Sequence, residues 1–281
     1  MSTIEEKRVY GNRANATVVY VASGAGVLRV RVANDLVGEF SLCERGTTRD
    51  VATDGDRIAA ATDEDVLVAD ADDRFEETGF GPAVAVGYDG GTLLAAGGDG
   101  RVARRTDGDW ETLRSDPSLE VRAIDGGLVG TAGGVYRLHD GGLDHAGLTD
   151  VRDVSAPGVP LAATADGLYK LGNGWMQVLE EPVETVAADP ASDSGELRRA
   201  HAVAGLDLYG YADGDWRAVD RSSVPIVGVA YGEGLYAVTD RGTMLVAADA
   251  DEGDGLEWRS RRLGVGSVTG IAVPRLRRDG A

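Results

Sequence analysis

The sequence has one cysteine, two lysines and no long apolar run. Cys43 alone cannot form an intrachain disulfide, which excludes disulfide-stabilised extracellular scaffolds and favours a reducing cytoplasm. No stretch approaches the roughly 18 apolar residues of a membrane span, and residues 2–8 are too polar for a secretory leader. We therefore expect a cytoplasmic protein that does not enter a membrane.

The shortage of lysine accompanies a large excess of acid. Lys7 and Lys170 stand against 26 Arg, while 31 Asp and 16 Glu bring the formal charge to −19. A strongly hydrated carboxylate surface keeps a chain soluble where salt screens repulsion to within a few ångström. This composition is typical of proteins from salt-accumulating, halophilic archaea, and it argues against a nucleic-acid partner, which requires a basic patch.

Glycine is abundant, with 41 residues against 8 Pro, and most Gly lie in pairs or beside Asp, as in tight turns. Residues 159–189 show the unit that these turns divide. An apolar run at Leu161 is followed by a turn, a second run from Leu168, a Gly-Asn-Gly turn, a third run from Trp175 and a fourth from Val183. Four short strands in roughly 35 residues predict one blade of a β-propeller.

The unit recurs along the chain. With Tyr169 as a marker of the third strand, the spacings between successive markers are 39, 35, 34, 33, 40 and 36 residues. We therefore predict an all-β, seven-bladed β-propeller formed by residues 1–281 as a single domain, with blades over about 17–274, a short N-terminal lead and a C-terminal tail. We expect it to act as a monomer. The markers are Leu28, Leu67, Val102, Tyr136, Tyr169, Tyr209 and Leu245.

The innermost strands also number seven. The first unit starts at residue 17, already in a second strand, and the last inner strand has no unit after it. The C-terminal strand is therefore predicted to complete the first blade, which closes the ring and leaves no open edge. The predicted inner strands are residues 48–52, 83–87, 121–125, 151–155, 183–187, 226–230 and 268–272.

Large aromatic residues open the outermost strands, and two connections are long. A ring at this position is expected to seal the wedge between neighbouring blades as part of the core. The long connections, residues 190–199 and 249–257, are predicted on the face opposite the start of the inner strands. The aromatic residues are Phe40, Phe75, Trp110, Trp175, Trp216 and Trp258.

The opening, IEEKRVYGNRANATVVYVASGAGVLRV, followed by this blade pattern, resembles a β-propeller family of haloarchaeal proteins. The resemblance extends over essentially the whole chain. It implies the fold and the habitat, and it brings no catalytic or ligand residues with it.

Catalytic and metal-binding patterns are scarce. His201 occupies a second-strand position, which favours a buried, hydrogen-bonded core residue, and His139 and His145 flank a turn without zinc-ligand spacing. The Asp-rich residues 249–255 lack the ligand spacing of an EF-hand and are interpreted as a solvated loop. No phosphate loop, dinucleotide fingerprint or nucleophile elbow occurs, so neither a cofactor nor a metal is expected.

One constellation remains, at the second position of the inner strands. Arg49, Arg122 and Arg152 recur there, and Glu184 takes the same place in the next blade. Guanidinium groups converging on a channel can hold a carboxylate or phosphate through bidentate hydrogen bonds. The alternative is internal pairing with Glu184 and with Asp50 and Asp153, the acids that follow two of these Arg.

We therefore expect a non-enzymatic scaffold that binds a protein partner or a small anionic ligand at Arg49, Arg122, Arg152 and Glu184. The alternative is a sialidase-like or other glycoside- or lactone-processing propeller enzyme, because three Arg that grip a substrate carboxylate are the device of sialidases. Seven blades where sialidases have six, incomplete Asp-box turns and the lack of a Tyr/Glu nucleophile pair count against it.

Overall fold

The computed structural model describes residues 16–70, 74–140, 142–247 and 256–274. Within these ranges the regular structure consists of strands, and no helix is long and apolar enough to cross a membrane. In chain order the strands are β1 (Thr17–Ser23), β2 (Gly26–Ala33), β3 (Leu36–Arg45), β4 (Thr48–Asp54), β5 (Arg57–Thr62), β6 (Val66–Ala69), β7 (Glu76–Glu77), β8 (Ala85–Asp89), β9 (Thr92–Ala96), β10 (Arg101–Thr106), β11 (Asp109–Ser115), β12 (Val121–Asp125), β13 (Leu128–Thr131), β14 (Gly134–His139), β15 (Gly142–His145), β16 (Val151–Ser155), β17 (Leu161–Thr164), β18 (Leu168–Leu171), β19 (Trp175–Leu179), β20 (Thr185–Ala188), β21 (Ala200–Ala204), β22 (Asp207–Ala212), β23 (Asp215–Arg221), β24 (Ile226–Tyr231), β25 (Leu235–Thr239), β26 (Thr243–Ala247), β27 (Arg259–Arg262) and β28 (Val268–Ala272).

The strands form seven four-stranded antiparallel sheets, which are the blades of a propeller. Blade 1 has the order β28-β1-β2-β3, and each later blade takes the next four strands, from β4–β7 in blade 2 to β24–β27 in blade 7. Neighbouring inner strands contact one another all the way round, including β24 with β28 and β28 with β4. The predicted seven-bladed all-β propeller is confirmed, and every third-strand marker lies in the third strand of its blade.

The C-terminal strand closes the ring. In blade 1, β28 pairs antiparallel with β1, and Val21 lies opposite Ile271. The first and last strands of the described chain therefore share one sheet, as predicted, and no blade edge is left open by the break between them.

The hairpin turns have the conformation that the Asp-Gly pairs require. Asp107 and Gly108 have φ of 52° and 94°, and Asp213 and Gly214 have φ of 54° and 91°. Positive φ at both central residues defines the type I′ turn, whose twist matches that of the strands it joins. These turns connect β10 to β11 and β22 to β23.

The core lies between blades. Second strands are the most deeply buried, and all residues of β21 and β25 are buried. Small residues dominate there, as in Ala59, Ala60 and Ala61 of β5, because the wedge between blades narrows toward the axis.

The outer aromatic residues seal these wedges as predicted, but they are half-buried rather than part of the buried core. The Trp110 indole donates to the Thr78 carbonyl of the preceding blade at 3.2 Å. Trp175 donates in the same way to the Ala146 carbonyl at 2.8 Å. Trp110 and Trp175 therefore each join their blade to the one before it.

Two inner strands start later than predicted. β8 begins at Ala85 instead of residue 83, and β20 begins at Thr185 instead of residue 183. The amides of Ala83 and Val183 bond to carbonyls of the preceding blade, which draws these residues out of their own ladders.

Of the two long connections, residues 190–199 join β20 to β21 and are held by a buried ion pair between Arg199 and Asp189 at 2.7 Å. Most of the other, residues 249–257, lies outside the described residues, as does the Asp-rich segment 249–255.

Candidate functional site

The three arginines of the predicted constellation occupy β-bulges. In blade 2 the ladder skips Arg49, so that the residues on either side of it pair with consecutive residues of β5. The same skip occurs at Arg122 and Arg152 in blades 4 and 5, and at Val227 and Thr269 in blades 7 and 1. A bulge redirects a side chain and is common beside functional sites. All five residues line the central channel, where the inner strands begin.

We call this rim the channel mouth and define it by Arg49, Arg122, Arg152 and Glu184. Glu184 lies directly before β20. Its backbone amide donates a hydrogen bond to the Val203 carbonyl of the neighbouring strand β21 at 2.8 Å. The structure therefore brings the four predicted site residues to one end of the channel.

Each arginine of the mouth is paired with a carboxylate. Arg49 Nε donates to Asp63 Oδ1 at 2.7 Å, and this hydrogen bond raises the pKa of Arg49 and lowers the pKa of Asp63. Arg152 Nη1 donates to Glu184 Oε1 at 2.8 Å, which joins blade 5 to blade 6. The Gly205 amide donates to the other oxygen of Glu184 at 3.0 Å.

Arg122 has two acidic partners. Its Nη1 donates to Asp150 Oδ1 at 2.5 Å and its Nε to Glu120 Oε1 at 3.2 Å. The hydrogen bond that Arg122 donates to Asp150 is the main reason that the pKa of Arg122 is raised. Sequence reasoning missed both acids, although a pattern was available, since each directly precedes the first residue of an inner strand.

Internal pairing therefore occurs, but with partners that differ from those expected. Glu184 is a partner, whereas Asp50 and Asp153 accept hydrogen bonds from backbone amides of the next blade. Asp50 Oδ2 accepts from the Val86 amide at 3.0 Å, and Asp153 Oδ2 from the Val186 amide at 2.9 Å. Inner strands form the free edge around the channel, and their amides need acceptors. These two aspartates supply them.

Asp50, Asp125 and Asp153 form a carboxylate layer in the channel wall. Burial raises the pKa of Asp50 to about 7, with a further contribution from the charges of Asp153 and Asp125, while hydrogen bonds from Val86 and Val51 oppose the rise. Burial likewise raises the pKa of Asp153 to about 6. Asp50 and Asp153 therefore hold protons at pH values where isolated carboxylates have released them.

The channel behind the mouth has a volume of about 660 Å³. Side-chain exposures of 51% for Arg49 and 33% for Arg152 leave these guanidiniums accessible. Among the described residues, the Nη groups of Arg49 have no protein partner. The arrangement can therefore bind a carboxylate or phosphate through contact-range hydrogen bonds.

The histidines belong to the scaffold. His201 is buried, and its Nδ1 lies 2.5 Å from the Tyr231 hydroxyl, which confirms the predicted hydrogen-bonded core residue. His139 Nε2 lies 3.2 Å from Asp144 Oδ2, and His145 Nε2 lies 3.2 Å from the Gly133 carbonyl. In the described ranges, no three His, Cys, Asp or Glu side chains are placed to hold a metal ion.

Solved structures that resemble the chain include β-propeller domains. YCF48 bound to D1 peptide is 18% identical, with 78% of this chain and 82% of that chain covered and a TM-score of 0.57. The Cps50 (Swd1) β-propeller domain of Myceliophteria thermophila is 13% identical, with coverage of 82% and 90% and a TM-score of 0.62. The Pan2 WD40 domain of Neurospora crassa is 11% identical, with coverage of 79% and 82% and a TM-score of 0.60.

At these identities the likeness shows the fold alone. No curated protein matches the sequence. The model of the HVO_0234-like β-propeller family matches residues 3–274. The chain therefore belongs to this β-propeller family, which is named after a haloarchaeal protein.

Proposed function

We propose that the chain is a non-enzymatic interaction scaffold that binds an acidic segment of a protein partner at the channel mouth. Arg49, Arg122 and Arg152 bind the carboxylates of the partner, and Glu184 holds Arg152 in position. The observation that carries the proposal is the recurrence of a bulged arginine at the same place in three blades.

The existing ion pairs are compatible with this role. They fix the guanidiniums at the rim and leave donors that face solvent, so that a partner carboxylate adds to the pair without displacing it. Exposed pairs of this kind contribute only about 0–1 kcal/mol to stability. The small stability that these ion pairs contribute therefore does not explain why arginine occurs at the equivalent position in three blades.

A peptide is the favoured occupant because the resembling YCF48 structure contains a bound peptide. The acidic surface of the chain restricts the mechanism further. At high salt the screening length is about 3 Å, so long-range attraction is negligible and only groups in contact select the partner.

We also place the protein in the salt-rich cytoplasm of a halophilic archaeon. The support is the net charge of −19 with only two lysines, together with a family named after a haloarchaeal protein. Hydrated carboxylates suit that solvent.

The test is affinity capture in native salt, followed by measurement of the dissociation constant with the purified partner and its acidic peptide. The site variant is Arg49→Gln/Arg122→Gln/Arg152→Gln, and we expect it to weaken binding at least tenfold, about 1.4 kcal/mol. Binding that is undiminished in this variant removes the channel mouth from consideration.

A matched control also replaces three ion-paired arginines, but on the third and fourth strands of their blades, away from the channel. Arg104, Arg221 and Arg259 pair with Glu111, Asp207 and Asp35, respectively. Their triple Gln variant has the same net charge as the site variant and should bind like the wild type. Equal losses in both variants would instead assign the effect to overall charge.

A further inference from the structure

A second concavity lies between blades 2 and 3, on the face opposite the channel mouth. It has a volume of about 500 Å³, which falls within the range of roughly 300–1,000 Å³ typical of small-molecule sites. Its walls come from β5, β6, β7, β8, β9 and β10 and from the turns beside them. We call it the blade 2–3 pocket.

The pocket exists because blade 2 has a short outer strand. β7 has two residues, Glu76 and Glu77, whereas β11 of the next blade has seven. Among the described residues, the outer strand of blade 2 therefore covers less of the wedge than the outer strand of blade 3 does. Val68, Ala69 and Leu93 form an apolar floor.

The charge of the pocket differs from that of the rest of the molecule. Its charged lining consists of Arg57, Arg74 and Arg105 with Asp70 and Glu76, whereas acids outnumber bases 47 to 28 in the whole chain. Arg57 is paired with Asp54. Arg105 donates from Nε to the Gly108 carbonyl at 3.3 Å. In the part of the chain that the structure describes, neither Arg74 nor Arg105 has a carboxylate partner.

Tyr88 supplies a planar wall and a neutral donor. The Arg57 guanidinium lies over its ring, 5.2 Å from the centroid. Burial raises the pKa of Tyr88 to about 12, although the charges of Arg57 and Arg105 oppose the rise. The hydroxyl is therefore protonated at neutral pH, and it makes no hydrogen bond to any described residue.

We propose that the blade 2–3 pocket binds a small organic anion with a planar ring. Arg74 and Arg105 bind its carboxylate or phosphate, Tyr88 donates a hydrogen bond, and the apolar floor receives the ring. This site is independent of the channel mouth, because it lies on the other face and shares none of the mouth residues.

The probes are phenyl phosphate and benzoate, which carry the two anionic groups on the same ring. Binding to the full chain in molar KCl is measured by ligand-observed saturation-transfer NMR, with dissociation constants from titration. We expect both to bind, and benzyl alcohol and inorganic phosphate to bind at least tenfold more weakly, because each lacks one half of the recognised chemistry.

The site variant is Arg74→Gln/Arg105→Gln, for which we expect a loss of affinity of about tenfold or more. Tyr88→Phe should weaken binding severalfold, as expected for one lost hydrogen bond. Arg217→Gln/Arg262→Gln, which removes two exposed arginines outside the pocket, is the charge-matched control and should bind like the wild type.

Ala69→Phe tests the volume directly, because Ala69 lines the floor and a phenyl ring there occupies the space of the ligand. A loss of binding in Ala69→Phe counts only if its melting temperature equals that of the wild type. If Ala69→Phe does not fold, the test rests on Arg74→Gln/Arg105→Gln alone. Failure of both probes to bind at millimolar concentration, or equal affinity in the site and control variants, overturns the proposal.

Discussion

The carboxylate layer of the channel predicts an unusual dependence of stability on pH. The ordinary pKa of an Asp is 3.8, and burial raises that of Asp50 to about 7. Between these values the folded state keeps a proton that the unfolded state has released. The contribution of Asp50 is therefore fully present below about pH 4 and is lost as the pH rises to about 7.

The magnitude follows from the size of the shift. Each pKa unit corresponds to about 1.4 kcal/mol, so Asp50 alone accounts for at most roughly 4 kcal/mol. Asp50 is only partly buried and lines the channel, so solvent screening reduces this value, and we expect about 2 kcal/mol. His201 acts in the opposite sense. Burial lowers its pKa to about 4, with a smaller contribution from the Arg199 charge, so the free energy of unfolding rises with pH as the unfolded His201 loses its proton. The wild-type profile alone therefore mixes both effects.

A variant that does not titrate separates them. Asp50→Asn keeps the size of the side chain and an acceptor oxygen. Any loss of stability that does not depend on pH lowers its free energy of unfolding by the same amount at every pH. Unfolding by urea in molar KCl, followed by tryptophan fluorescence, gives the free energy of unfolding at each pH. We expect the wild type to lose about 2 kcal/mol relative to Asp50→Asn between pH 4 and pH 7.

Asp63→Asn is the control, because pairing with Arg49 lowers the pKa of Asp63 and moves its titration below this window. Its difference curve should be flat. Parallel curves for the wild type and Asp50→Asn would show that the Asp50 carboxylate ionises alike in both states, and the reasoning from burial would be refuted.

Three further predictions concern the scaffold. Deletion of residues 265–281 removes β28 and exposes an unpaired edge of β1, so we expect aggregation or a much lower melting temperature. Deletion of residues 275–281 alone should be tolerated. Equal stability of the two truncated proteins would contradict closure by β28. Melting temperature should fall steeply from molar to millimolar KCl, because 47 acids repel one another when unscreened, and a temperature independent of salt would argue against adaptation to salt. Gly108→Ala should cost about 1 kcal/mol, because Gly108 has φ of 94°. Gly174→Ala, also in open space but without positive φ, should cost less, and equal unfolding free energies would rule out backbone strain as the cause.

The blade count and the turns were predictable because both depend on local sequence. A near-constant period marks each third strand, and Asp-Gly pairs specify type I′ hairpins through their own backbone preferences. Closure of the ring followed from counting strands, because the first blade lacks an inner strand and the last inner strand has no blade of its own. The position of the channel mouth followed from aligning the inner strands of the blades.

The partners of the site residues were not predictable in this way. Asp50 bonds to Val86, 36 residues later, and Asp153 to Val186, 33 residues later. Such contacts depend on how one blade is placed against the next, which local periodicity does not describe. The bulges at Arg49, Arg122 and Arg152 lie within single blades, and they show only in the register in which the inner strand pairs with the second strand.

The sequence by itself therefore determined the repeat, the number of blades, the turn types and the residues at the channel mouth. Only the tertiary structure decided which acids pair with the arginines, which carboxylates hold protons in the channel wall, and that a pocket opens beside the short strand β7. The physical reason is that the first group depends on interactions within a blade. Most of the second group depends on the surfaces that two blades present to each other and on the water they exclude, whereas the pairing of Arg49 with Asp63 depends on side-chain placement within blade 2.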